Sequence, residues 1–347
     1  MCVASSRSVA GGLDLNSLRQ LGELGVIRIM ERSLGTSRRA VVGFGDDISA
    51  VRLSNHQLAV LKTDMFVAST DRPPGMTMRQ AARKAVVANV SDLAAKGARP
   101  YAGLVALGLP AILTRHDARE IGRGLSEGAK EYRFPLVGGD TNESKDLVIS
   151  IALFGLIDER KMILRSGANV GDIVAVTGEF GSASAGLRAI LDRRIRPDRL
   201  PRALAQAVYE PAAQLNLGLR LAATGAITAS IDSSDGLAWS LHELSGMSEV
   251  GIRVETLPIS KAARQFAVRY RYDASDLALY GGEEYLLIVT VKPTLFRRAQ
   301  NAARGQLKRI GVVTKRSEGI RLAESGGDTK IKMRGWEHFR ARERAAS

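Results

Sequence analysis

The chain has 347 residues, 45% of them hydrophobic and 25% charged, a length suited to about two domains and a composition that excludes a disordered, collagen-like or coiled-coil protein. No apolar run of roughly 18 residues or more occurs, which excludes a spanning helix, and the opening MCVASSRSVAGG lacks the continuous apolar stretch of a secretory signal. Lys and Arg outnumber Asp and Glu by 50 to 36, a net charge of +14, which brings nucleic acid, membranes and polyanionic small molecules into view as partners.

In chain order, residues 15–31 read as an amphipathic helix with Leu18, Leu21, Leu24 and Ile27 at helical spacing. Strands are predicted over 48–53 and 58–63, an Ala-rich helix over 78–95, a strand over 102–107, a helix over 117–132, and buried strands over 136–137 and 147–157. Charges at 158–161 interrupt the apolar pattern and mark the expected domain boundary, which gives a tail over 1–14 and domains over 15–158 and 159–347. The second half opens with a strand over 172–177 and a Gly-rich turn at 178–181. Helices follow over 182–194, 202–208 and 212–223, then a strand over 227–231, a helix over 237–244, a strand over 251–255, a helix over 261–270 and a strand over 285–291. This alternation predicts an α/β or mixed α+β protein.

The acidic residues occupy an unusual context. Asp46-Asp47 precedes a predicted strand, and Thr63-Asp64 ends one. Asp92 interrupts the apolar helix VVANVSDLAAKGA. Gly138-Gly139-Asp140, Asp232-Ser233-Ser234-Asp235-Gly236 and Gly281-Gly282-Glu283-Glu284 are expected at strand ends. Short carboxylates held at such junctions are good oxygen ligands for hard cations, and Mg²⁺ takes a few of them together with waters and phosphate oxygens. Neighbouring glycines let backbone N–H groups approach a phosphate. Taken singly, each Asp equally suits a turn or a helix N-cap.

Cys2 is the only cysteine, and four histidines show no zinc spacing. Both facts favour oxygen ligands, and the first fits a cytoplasmic protein. There is no G-x-x-x-x-G-K-[ST] loop, no protein-kinase motif set and no nucleophile set, and Gly122-Arg123-Gly124 lies inside a predicted helix. Metal-assisted group transfer without a covalent intermediate is the chemistry left.

These motifs, with RSGANVGDIVAVTGEFG over 165–181 and GWEHF over 335–339, resemble the archaeal form of thiamine-monophosphate kinase. That family shares an ATP-binding superfamily with aminoimidazole ribonucleotide synthetase and selenophosphate synthetase. The resemblance spans roughly residues 15–340. It implies a two-domain fold like aminoimidazole ribonucleotide synthetase, with an N-terminal sheet domain and a C-terminal α/β domain. It also implies direct in-line transfer of the γ-phosphoryl of ATP to thiamine monophosphate, with several Mg²⁺ ions, and a homodimer joined through its N-terminal sheets. Carried over by position, the metal ligands are Asp47, Lys62 (through its carbonyl), Thr63, Asp64, Asp92, Asp140, Asp232 and Asp235. The ATP contacts are Gly139, Asp140, Arg165 and Ser234, and the thiamine contacts are Asp71, Glu283 and Trp336. Arg165 also suits a plain surface position, and Trp336 a place in a core. Glu284 and Ser233 depart from the family pattern.

Rival members of the superfamily fare worse. Cys2 lacks the context of a selenophosphate synthetase nucleophile, and the chain does not end in the Cys of a hydrogenase-maturation relative. Aminoimidazole ribonucleotide synthetase remains the alternative. The +14 charge, with 14 basic against five acidic residues over 297–347, raises a nucleic-acid-binding reading. Aromatic residues at 5% with no basic/aromatic interleaving argue against it. No membrane partner is expected.

Overall fold

A computed structural model describes residues 18–35, 39–192, 195 and 200–335. Of these, 18–35 belong to one compact unit and 39–335 to another. In the first, α1 (Leu18–Leu34) covers the predicted amphipathic stretch and is broken at Gly22, whose φ of 64° is left-handed. The tail predicted over 1–14 lies outside the described residues.

The second unit begins with β1 (Ala40–Val42), β2 (Ser49–Arg52), β3 (Gln57–Val67), α2 (Ala68–Asp71), α3 (Met78–Lys96), β4 (Arg99–Leu109), α4 (Arg115–Glu131), β5 (Leu136–Glu143) and β6 (Val148–Asp158). The six strands form one sheet in the order β1-β2-β3-β6-β4-β5. All pairs are antiparallel except β4 with β5. The strand β6 alternates between buried and less buried positions, so the sheet has one covered face and one open one. Helix α3 covers the first and α4 packs on α3. On the open face Leu61, Met65, Tyr101 and Leu104 are exposed.

α3 is apolar nearly all round, the pattern of a helix buried on every side, and 14 of its 19 residues are buried. It starts at a capping box, Thr77 with Gln80, and ends at Gly97 in the left-handed conformation. α4 starts at a second capping box, Thr114 with Asp117. Gly124, in the rejected glycine motif, has a packing reason: a Cβ there would come within 2.1 Å of the Arg79 carbonyl oxygen on α3.

The chain continues with β7 (Ile173–Val176), α5 (Ser182–Leu191), α6 (Arg202–Tyr209), α7 (Leu215–Ala222), β8 (Ile227–Asp232), α8 (Leu237–Ser248), β9 (Val250–Val254), α9 (Lys261–Tyr270), α10 (Ala274–Tyr280), β10 (Leu287–Val291), α11 (Phe296–Ala302), β11 (Lys308–Lys315), β12 (Ile320–Glu324) and β13 (Gly327–Lys330). These strands form a seven-stranded sheet in the order β13-β12-β9-β11-β7-β10-β8. β7 is a continuous apolar run and β10 one broken only by Thr290, because both faces of this sheet are covered. Ala175, Leu287, Val289 and Val291 join α3, α7 and the first sheet in one core. Val174, Val176 and Ile288 join α5, α8, α9 and α10 in another.

The fold is therefore mixed α and β with two sheets, as expected. Several local expectations change. Asp64 lies within β3, which runs on to Val67, and Gly138-Gly139-Asp140 lies within β5. The Gly281–Glu284 turn follows helix α10 rather than a strand. β13 is fully exposed and short, and α10 has seven residues, so neither shows a readable period.

Candidate active site

The centre of the site is a polar stripe on α3. Lys84, Asp92 and Lys96 stand at multiples of four residues and so follow one face of the helix, in a segment otherwise built to be buried. This stripe meets the end of β8 and the loop between β1 and β2. Ser91 Oγ donates to Asp232 Oδ2 at 2.6 Å. Lys96, fully buried, places its Nζ 2.7 Å from Asp46 Oδ1 and 2.6 Å from Asp47 Oδ2 and donates to the Ser230 carbonyl at 2.8 Å. One oxygen each of Asp47, Asp92 and Asp232 lies within 4.8 Å of the others, all three residues buried.

Three cations surround these carboxylates. Lys62 Nζ is 2.6 Å from Asp92 Oδ2 and 3.5 Å from Asp64 Oδ2. Arg165 donates from Nε to Asp47 Oδ1 at 2.7 Å, pairs with that oxygen through Nη2, and reaches Glu243 Oε2 at 3.1 Å through Nη1. Its backbone N–H donates to Asp46 Oδ2 at 2.9 Å. Six carboxylates, those of Asp46, Asp47, Asp64, Asp92, Asp232 and Glu243, thus meet Lys62, Lys96 and Arg165. Negative charge is left over.

The ionisation equilibria register that surplus. Burial pushes the Asp92 carboxyl well above its usual range; Lys62 opposes this, and Asp232, Asp47 and Asp64 add to it. Burial likewise raises Asp232 to about 6, with Asp47 adding and the Ser91 hydroxyl opposing. Burial would raise Asp47 too, but Lys96 and Arg165 beside it hold it below the usual carboxylate value. Asp47 Oδ2 lies 2.6 Å from Lys96 Nζ, and a carboxylate oxygen paired with one ammonium keeps a second lone pair for a cation. An all-oxygen donor set with excess negative charge and a buried acceptor to spare fits a hard divalent cation.

A second group lies toward the other end of the α3 stripe. Lys84 pairs through Nζ with Glu283 Oε1 and donates to the Asp71 carbonyl at 3.1 Å. Asp71 Oδ2 accepts from the Val67 N–H at 2.7 Å. The turn carrying Glu283 is pinned to the one after β8: Glu283 N–H donates to the Ser234 carbonyl at 2.5 Å and Tyr285 N–H to the Ser233 carbonyl at 2.9 Å. Glu284 turns the opposite way, its Oε1 accepting from the N–H groups of Gly181 at 2.7 Å and Ala183 at 3.1 Å at the start of α5. Burial raises its carboxyl to about 7 against the pull of those N–H groups.

Of the residues singled out in the sequence, Asp47, Asp92 and Asp232 come together, with Lys62 and Arg165 against them and Asp64 at their margin, 48% exposed. Lys62 enters through its side chain. Asp235 and Ser234 sit half-buried in the turn just beyond Asp232. Asp71 and Glu283 meet across Lys84. Thr63 has its Oγ1 3.4 Å from Ser150 Oγ, on the alternate face of β3 from Lys62 and Asp64. Asp140 stands apart. Register runs from Asp64 through Ile151 and Val105 to Gly139, three strand spacings or about 14 Å along the sheet. Gly139 also has a structural reason, since a Cβ there would fall 1.8 Å from the Val105 carbonyl oxygen. Trp336 lies outside the described residues. Sequence reasoning missed Lys84, Lys96 and Ser91. The available signal was a pair of lysines in a helix with no solvent face, a placement that requires partners.

The chain matches both halves of one class of protein: AIR synthase related protein, N-terminal domain, over residues 45–157, and C-terminal domain, over 169–323. It is 35% identical over 297 residues to the thiamine-monophosphate kinase of Pyrococcus abyssi, covering 85% of this chain and 90% of that protein. It is 32% identical over 327 residues to that of Nitrosopumilus maritimus, covering 93% and 100%. The solved structure of AaThiL complexed with AMPPCP and TMP superimposes with a TM-score of 0.80 at 28% identity, covering 93% of this chain and 98% of that one. The chain belongs to the thiamine-monophosphate kinase family.

Proposed function

We propose that this chain transfers the γ-phosphoryl group of ATP to thiamine monophosphate, giving thiamine diphosphate and ADP, at the seam between α3, β8 and the β1–β2 loop. The observation that carries the reading is the convergence of Asp47, Asp92 and Asp232 within 4.8 Å in a chain of this family. These three residues, with Asp64 beside them, would hold Mg²⁺; Asp140, Asp235, the Lys62 carbonyl and Thr63, which lie outside this cluster, are proposed as ligands of further ions. When bound, the cation supplies positive charge to the phosphate oxygens.

Phosphoryl transfer asks a protein mainly for positioning and charge neutralisation. Lys96 and Arg165 hold the Asp47 carboxyl below its usual value, and Lys62, paired with Asp92, offsets part of the burial penalty there. Gly139, Asp140, Arg165 and Ser234 are the proposed ATP contacts; Asp71, Glu283 and Trp336 the thiamine contacts. A carboxylate and an aromatic face each suit a cationic ring, and the carboxylate also suits its amino group. The first sheet, with residues 15–158, and the second, with 159–347, are the proposed domains. We read the exposed apolar positions on the first sheet's open face as the surface of a homodimer, and a chain with one cysteine as cytoplasmic.

Incubating the purified chain with ATP, Mg²⁺ and thiamine monophosphate should yield thiamine diphosphate and ADP in equal amounts, and chelation should stop the reaction. Turnover of a purine precursor alone would remove this reading in favour of an aminoimidazole ribonucleotide synthetase.

A further inference from the structure

Lys84 is the buried cation that the acidic cluster does not explain. It sits within α3 with its side chain 3% exposed, and an ammonium withdrawn from water persists only where its donors are used. Its partners come from three separate segments. Glu283 Oε1 belongs to the turn before β10, the Asp71 carbonyl closes α2, and the Phe66 ring, with its centroid 5.8 Å from Nζ, lies on β3. Lys62 and Lys96 contact the Asp47–Asp92–Asp232 group, whereas Lys84 contacts neither Asp92 nor Asp232. Its ion pair is with Glu283.

Glu283 has a φ of 64°, a left-handed backbone that a residue other than glycine keeps only when its surroundings impose it. Two backbone hydrogen bonds to the turn after β8 hold the main chain there. The Lys84 ammonium holds the side chain, taking one oxygen while the Glu283 side chain remains 33% exposed. Its second oxygen lies outside that pair and can accept from a ligand. The same ammonium ties this carboxylate to the end of α2, bridging Asp71 and Glu283.

We infer that Lys84 is a positioning residue for the thiamine end of the site: it orients the Glu283 carboxylate and locks it to the Asp71 turn, so that the amino-bearing cationic ring of the acceptor meets a pre-set pair of acidic residues. The inference rests on the thiamine monophosphate reading above. Lys84 touches no reacting atom and acts through Glu283.

The test uses the full chain with ATP, Mg²⁺ and thiamine monophosphate. Lys84→Met should raise KM for thiamine monophosphate by about tenfold or more while KM for ATP stays within about twofold, the signature of lost acceptor binding. Glu283→Ala should raise the same KM, and Lys84→Met added to Glu283→Ala should raise it no further, because two residues acting through one contact are not additive. Lys84→Arg, which keeps the charge but presents a wider fork, should shift the same KM in the same direction by less, and it carries the test if Lys84→Met does not fold. Unchanged KM for thiamine monophosphate in a folded Lys84 variant overturns the inference. So does a parallel rise in both KM values, or an additive double variant; each of these leaves the kinase reading intact. If the unmodified chain makes no thiamine diphosphate, the kinase reading itself falls and this role for Lys84 falls with it.

Discussion

Two Gly/Asp-bearing regions of this chain look alike in sequence and differ in physics. At the end of β8, Asp232 is buried beside Asp47 and Asp92, and burial with like charge raises its carboxyl to about 6. On the edge strand β5, Gly138-Gly139-Asp140 is exposed along its length. The first region carries charges that the fold has taken out of water and must balance with Lys62, Lys96 and Arg165. The second carries a carboxylate that water already solvates. A buried acidic cluster is therefore coupled to stability, and an exposed one answers only to its ligands.

The largest way to test that contrast is to remove a balancing cation. Lys96→Met leaves Asp46 and Asp47 without their ammonium and should cost about 3–5 kcal/mol of stability, as breaking a buried pair does. Chemical denaturation with and without Mg²⁺ measures it, with partial recovery expected when the cation is present.

Asp232→Asn comes next and should move activity and stability in opposite directions. Turnover should fall by about 10²–10³ for loss of a preorganised charge. Stability at pH 8 without divalent ions should rise by up to roughly 3 kcal/mol, because the native state disfavours this charge. A variant that lost both would make the cluster a structural one.

Glu284 gives a pH-dependent effect of similar or smaller size. Its folded carboxyl, at about 7, lies above the ordinary value of 4.5, so the native state prefers the neutral acid. Stability from this group is complete below about pH 4.5 and is lost as pH rises through 7. Glu284→Gln should match the unmodified chain near pH 4.5 and exceed it at pH 8 by at most about 3 kcal/mol, read from denaturation midpoints across that range. The smallest stability effect belongs to the exposed region. Asp140→Asn should change stability by less than about 0.5 kcal/mol while lowering turnover, and a large loss of stability would erase the distinction between the two regions.

Much of the framework was legible because it is local. The Ala-rich period over 78–95 announces α3, which the structure starts at the Thr77–Gln80 capping box and ends at Lys96 before the left-handed Gly97. The apolar runs of β6, β7 and β10 announce strands without reference to the rest of the chain. Elements with no period of their own, such as β13 and α10, were not legible. Neither were the extended courses of Asp64 and Asp140: a Gly or Asp signals a turn locally, while ladder pairing kept β3 running to Val67 and β5 to Glu143. The carboxylates of the site were visible as a set because each stands in an apolar or glycine-rich setting. Their grouping was not, because Asp92 and Asp232 are far apart in sequence and meet only through the docking of α3 against β8.

The sequence by itself determined the class of fold, the family, and the oxygen-rich character of the chemistry, since these follow from residue types and short-range periods. Tertiary structure decided which acidic residues share a site and which stand alone, and it gave the buried Lys84 and Lys96 their counter-charges. The physical reason is burial. A lysine costs nothing in water and must be paired out of it, and only the packing of α3 between two sheets says which carboxylates do the pairing.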